Sequence, residues 1–305
     1  MPFRDILLTL TSYPDPTPVS VVEEAVSIAA SLGAHLAAVA CEVHVEVPGH
    51  FLSGSIANVP GIIAGETEKS RKSAKDMLAA FDAAADKAGV LHETYLEKCP
   101  TFAVPDLLVD YARLRDLTIV PVPEGYDQWY AEAVIFGSGR PTLVLPESPR
   151  PRPFELGTVA IAWDFSRAAA RAVSDAMPLL EKANKVRIVT VTNEKKLDTK
   201  HFSEELAKNL ARHGIDVVLD KVDASGRRIG EVLESYAASH QVDVLVMGAY
   251  GHARWREFIL AAPPRACCRS LRSRSCSRID GRFGFRRAGE LRWPKIPTGT
   301  VPVRR

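Results

Sequence analysis

The sequence has no window of about 18 consecutive apolar residues, so a membrane-spanning helix is not expected. It has five cysteines in 305 residues, Cys41, Cys99, Cys267, Cys268 and Cys276. They are too few and too unevenly spaced for a secreted disulfide framework, and a reducing cytoplasm is the expected compartment. The N-terminus carries Asp5 where an export signal needs base, and the apolar run 6–10 is shorter than a signal core. Excess charge of one sign is also missing, since the formal net charge is +2, with 46% hydrophobic and 25% charged residues. Those proportions exclude collagen-like and disordered classes and leave room for two ordinary domains.

The small net charge conceals a division of the chain. Residues 261–305 hold twelve basic residues, eleven of them Arg, against Asp280 and Glu290, a net of +10. Residues 1–260 hold 27 basic and 35 acidic residues, a net of −8. The acidic part is not expected to seek nucleic acid, membrane binding is not expected anywhere, and only the basic tail could neutralise phosphates.

Within 1–260, short Leu- and β-branched runs alternate with amphipathic stretches, the pattern of βα units on a parallel sheet. The spacing predicts strands at 4–11, 35–45, 92–98, 117–122 and 142–146. Helices are expected after Pro18, at 66–88, after Pro105 (Leu107, Leu108, Tyr111 and Leu114 inward) and near 127–136. Pro146, Pro149, Pro151 and Pro153 then form a linker that continues neither helix nor central strand. A second series follows: strands at 158–163, 185–192, 215–222 and 242–247, a helix capped at Ser166, one through Leu206 and Leu210, and one with Ile229, Leu233 and Tyr236. The expected organisation is a first domain over 1–147, a linker over 148–156, a second domain over 157–260 and a tail over 261–305. Each domain is a doubly wound α/β sheet.

The two series align with each other. Asp106-Leu107-Leu108-Val109-Asp110-Tyr111-Ala112 lies at an offset of 125 from Glu231-Val232-Leu233-Glu234-Ser235-Tyr236-Ala237, and Ile6-Leu7-Leu8 at an offset of 153 from Val159-Ala160-Ile161. An internal duplication follows, with 28 extra residues in the first copy, assigned to a long loop over 44–66.

In a parallel α/β sheet, ligands gather outside the carboxyl ends of the strands. Asp164 follows Ile161-Ala162-Trp163, and Gly248-Ala249-Tyr250-Gly251-His252 follows the apolar run 242–247. A carboxylate there can accept hydrogen bonds from ribose hydroxyls or an adenine amino group. Glycines let backbone N–H groups approach phosphate oxygens, and a helix N-terminus adds its dipole. In the first copy Thr11 stands opposite Asp164 and Pro123 opposite Gly248, and proline has no N–H to offer. Gly137-Ser138 reads as a helix C-cap and turn.

The stretch Val242-Asp243-Val244-Leu245-Val246-Met247-Gly248-Ala249-Tyr250-Gly251-His252-Ala253-Arg254 resembles the fourth-strand signature of the universal stress protein family. Ala160-Ile161-Ala162-Trp163-Asp164 resembles its first strand and acidic turn, and Phe136 to Pro146 the approach to its fifth strand. The resemblance implies a tandem, Rossmann-like member that binds ATP or a related adenine nucleotide, with Mg accompanying it, and acts in the stress response without catalysis. It implies Ala162 and Asp164 near ribose and base, the Val191 backbone at the adenine edge, and Gly248, Gly251 and His252 near the phosphates. It also implies a dimer or an intramolecular pairing of the two domains. Nucleotide-binding members carry Gly-x2-Gly-x9-Gly-Ser/Thr. Here the last pair is replaced by Ala261-Ala262, so half of that phosphate grip is missing and a nucleotide-free interaction scaffold is the alternative.

After Leu260 the pattern gives way to a composition of Arg, Ala, Pro, Ser and Cys, as GC-rich codons read out of frame would produce, and a frameshifted or disordered end is expected. Cys267, Cys268 and Cys276, with no histidine after His252, lack zinc-ligand spacing, so no metal site is expected. Ser12 and Ser166 lie outside any Gly-x-Ser-x-Gly elbow, and no hydrolase triad is supported.

Overall fold

The computed structural model describes residues 2–44, 59–123, 129–147, 154, 156–193 and 202–248. The expected tail over 261–305, Gly251, His252, Ala261, Ala262 and most of the linker lie outside the described residues.

Five parallel strands make the first sheet: β1 (Asp5–Leu10), β2 (His35–His44), β3 (His92–Pro100), β4 (Leu117–Val122) and β5 (Thr142–Pro146), in the order β3-β2-β1-β4-β5. Between them run α1 (Val19–Leu32), α2 (Val59–Ala88), α3 (Val104–Arg113) and α4 (Trp129–Gly137). The second sheet has, among the described residues, four parallel strands in the order β8-β7-β6-β9: β6 (Thr158–Ala162), β7 (Lys185–Thr192), β8 (Val217–Asp223) and β9 (Val244–Val246). Its helices are α5 (Arg167–Leu180), α6 (Phe202–Arg212) and α7 (Ile229–Ser239). Both sheets lie within one compact unit, Met1–Arg272. The α/β class and the doubly wound order match the sequence reading, because β4 is buried along its whole length and is apolar except at Thr118. The edge strands β3 and β8 mix half-buried and exposed positions instead.

Local chemistry sets the helix ends. Pro18, with φ −61° and ψ 143°, precedes α1, and Gly33 at φ 66° ends it with its N–H on the last carbonyls. Ser166 caps α5 by accepting the Ala169 N–H at 3.0 Å, as the sequence predicts. Ser166→Ala is expected to cost about 1 kcal/mol, read from urea denaturation midpoints. The turn after α4 differs from expectation: Gly139, not Gly137, takes the left-handed conformation, at φ 69°. Gly137 sits close to α3, since an added Cβ would meet the Val109 side chain at 3.1 Å, a tight contact.

Three further details correct the sequence reading. The helix expected from residue 66 begins at Val59, so the loop is shorter than 44–66. Leu114 lies beyond the end of α3 and is 72% exposed, because the helix stops at Arg113 before the apolar stripe is complete. The offsets of 153 and 125 hold for the starts of β1 and β6 and of α3 and α7, but Ile6 pairs with Leu117 and Val159 with Val244, so β4 is shifted by two residues against β9 relative to that alignment. A two-residue slip preserves strand face, which is why the apolar pattern alone did not reveal it.

One buried cluster takes in residues of both sheets. Ile6, Leu8 and Phe81 belong to it together with Ile161, Ala169, Val173 and Leu180. Phe154, at the end of the linker, is buried there too. Lys182 Nζ adds a polar tie at the margin, donating to the Ser31 carbonyl at 2.8 Å.

Candidate functional site

The order β8-β7-β6-β9 puts the topological switch point of the second sheet between β6 and β9: the chain leaves β6 toward β7 on one side and returns to β9 on the other. Asp164 follows the first of these strands and Gly248 the second, so two residues 84 positions apart in sequence reach the same crevice edge. The Trp163 N–H still donates to the Val189 carbonyl at 2.9 Å, and the chain turns out of the sheet at Asp164. Asp164 is exposed, and its Oδ1 accepts the Ser166 N–H at 2.9 Å. That bond occupies one carboxylate oxygen and leaves the other for a ligand hydroxyl or amino group.

Gly248 lies against the first turn of α5. A Cβ added to it would stand 2.5 Å from the Ala168 carbonyl carbon and the Ala169 nitrogen, and 2.8 Å from Ala168 Cβ. The backbone after β9 therefore passes within contact distance of a helix N-terminus, the arrangement that brings N–H groups and a favourable dipole to an anion. Ala162 is half-buried at the end of β6, and Val191, half-buried in β7, pairs with Val222 of β8. Ala162, Asp164, Val191 and Gly248 thus share one edge of the sheet.

Sequence reasoning missed a feature of the same edge. Phe165, Asn193 and Ser225 have φ of 58°, 65° and 50°, and each comes shortly after one of the successive strands β6, β7 and β8. Such conformations are uncommon outside glycine and concentrate where a backbone is held for a purpose. Asn193 Nδ2 donates to Asp223, and the Ser225 N–H donates to Asp223 Oδ1 at 2.6 Å. The Ser225 backbone bond and then the Asn193 bond hold the Asp223 carboxyl below its usual range. The Asn193 turn and the Asp223-Ala224-Ser225-Gly226 cluster carry a turn signal in sequence. Phe165 carries none, and its half-exposed ring meets Trp163 edge-on at 6.0 Å between centroids.

The first sheet closes the corresponding edge with its own side chains. Ser12 Oγ donates to the Cys41 carbonyl and lies 3.0 Å from Ser70 Oγ of α2, which accepts the Val43 N–H at 2.9 Å. Thr11 and Thr17 tie the loop after β1 through two bonds of 3.0 and 2.9 Å. Ser12 and Ser70 are buried, so this edge holds packed hydroxyls where the second sheet holds Asp164 and Gly248. Among the described residues, no group of three or more His, Cys, Asp or Glu side chains could hold a metal ion, and no helix is long and apolar enough to cross a membrane.

The chain has the fold of the universal stress proteins. It is similar in structure to a universal stress protein from Archaeoglobus fulgidus DSM 4304, at a TM-score of 0.56 and 14% identity over 79% of this chain and 86% of that one. It is also similar to a universal stress protein solved in complex with cAMP (TM-score 0.32, 18% identity, 48% of this chain and 100% of that one). A third similar structure is a universal stress protein from Archaeoglobus fulgidus in complex with dAMP (TM-score 0.31, 20% identity, 47% of this chain and 98% of that one). No family model and no curated protein matches the sequence.

Proposed function

We propose that the chain is a tandem universal stress protein, cytoplasmic and non-enzymatic, whose second half binds ATP or a related adenine nucleotide across the carboxyl ends of β6 and β9. The observation that carries this reading is the pair Asp164 and Gly248 at the switch point, with Gly248 packed on the N-terminus of α5 too closely for any side chain. Asp164 holds the ribose or base through its second oxygen, the Val191 backbone borders the adenine, and the chain from Gly248 carries the phosphates with Mg. Gly251 and His252 belong to the same proposed grip but lie outside the described residues. The acidic net charge of residues 1–260 disfavours nucleic acid as the partner of this site.

A melting scan with millimolar ATP and magnesium tests the proposal. Ligand at about a hundred times its dissociation constant adds roughly 2.7 kcal/mol, a rise of several degrees, and Asp164→Ala should abolish most of it. No shift, or an equal shift in the variant, rejects the site. The second reading, a nucleotide-free scaffold whose halves pair with each other, draws support from the Ser12–Ser70 packing at the first sheet's strand ends and from Ala261-Ala262. Mass spectrometry of the purified protein for a retained nucleotide separates the two readings.

A further inference from the structure

A cleft of about 240 Å³ lies beside the strand-end site, between the amino-terminal side of the first sheet and the α5–β9 side of the second. Its walls are apolar: Phe3, Leu117 and Leu143 on one side, Ala172, Leu179 and Val246 on the other. The space equals about eight water molecules at roughly 30 Å³ each, and water in it would find few polar partners. Polar groups are confined to particular places. Arg140 and Arg171 border the cleft, both exposed, together with the half-buried Asp175. Arg171 Nε is already paired with Asp175 at 2.7 Å. Arg140 donates through Nε to the Arg113 carbonyl at 3.2 Å, and among the described residues its guanidinium meets no carboxylate. At the first position of β5, Thr142 also lines the cleft and has a buried hydroxyl without a partner among the described residues. A buried hydroxyl left unbonded is costly, and its presence beside a cavity marks a place where a ligand atom would complete it.

We propose that this cleft binds a small apolar carboxylate, with the hydrocarbon between the two sheets and the carboxylate on Arg140. The apolar walls account for the body of the ligand. The unpaired guanidinium accounts for its charge, since a fork of N–H donors matches a carboxylate in geometry and sign. With Arg171 neutralised by Asp175, the border carries one uncompensated positive charge, which selects a monoanion. The cleft also adjoins the strand-end site, because Met247 and Ala168 line it while Gly248 and the Ala168 backbone form the close contact described above.

Titration calorimetry of the full chain with octanoate, octan-1-ol and acetate tests this without nucleotide. Octanoate should bind, octan-1-ol should bind about tenfold more weakly, and acetate should not bind. Arg140→Gln should weaken octanoate about tenfold and leave octan-1-ol unchanged. Ala172→Phe, which fills the cleft from α5, should abolish both. Photolysis with 4-benzoylbenzoate, competed by octanoate, should label a peptide containing Leu143 or Met247, which keeps the proposal open to refutation if the Phe variant misfolds. Absence of octanoate binding, wild-type octanoate affinity in either variant, or labelling elsewhere overturns it.

Discussion

Replacing Gly248 with alanine is expected to destabilise the protein by about 3 kcal/mol, the upper end of what overpacking costs, and to abolish the proposed nucleotide binding with it. The new methyl would lie 2.5 Å from two backbone atoms of the first turn of α5, and main-chain atoms do not rotate away as a flexible side-chain tip does. Relief requires the end of β9 and α5 to separate, which opens the buried contacts of Ala169 and Val246 and pulls the proposed phosphate grip off the helix N-terminus. Gly248 is not among the glycines with positive φ, so the penalty comes from proximity and not from backbone conformation. Urea denaturation measures the first effect and ATP titration the second. A stability change below about 0.5 kcal/mol would contradict the packing described here.

Glu147 supplies the second large effect, one that depends on pH. Burial at the end of β5 lifts its carboxyl from 4.5 to about 7; a hydrogen bond from Thr17 opposes the lift, and the nearby charge of Asp15 adds to it. Its backbone N–H is bonded to the Val122 carbonyl at 3.0 Å, which holds the residue at the sheet. The folded state therefore binds this proton more tightly than the unfolded chain. Below about pH 4.5 the group is neutral in both states and costs nothing; between 4.5 and 7 stability falls as pH rises, and above 7 the full penalty stands. Glu147→Gln removes the titration and should stabilise the protein by about 1–2 kcal/mol at pH 8, after allowance for the partial exposure of the site, with little change at pH 4. Denaturation midpoints of both proteins at the two pH values check this, and parallel pH profiles would refute it.

Several features were legible in the residues alone. Alternating apolar runs and amphipathic stretches read as βα units because fully buried parallel strands are near-continuously apolar, as β4 is but for Thr118. The α5 cap was readable because a short side chain with an acceptor oxygen, in extended backbone, satisfies the first-turn N–H groups, and Ser166 stood where one was needed. Asp164 and Gly248 could be singled out as strand-end residues. The start of α2 at Val59 was not legible, because its first turns hold Pro60 and Gly61 and read as loop until long-range packing of the helix against β2 outweighs local preference.

By itself the sequence determined the fold class and the identity of the strand-end residues, since periodicity and capping are local properties of the chain. The tertiary structure decided what those residues face. Pairing β6 with β9 brings Asp164 and Gly248 to one switch point, and the packing of α5 makes Gly248 irreplaceable through a contact across 80 residues. At the matching edge of the first sheet, Ser70 arrives from α2 to close the site with a hydroxyl. The same pairing and packing join two copies of one unit around a cleft that neither copy contains alone. Which groups meet across such distances depends on register and helix packing, and these are settled by burying the whole apolar surface at once, not by any segment's own pattern.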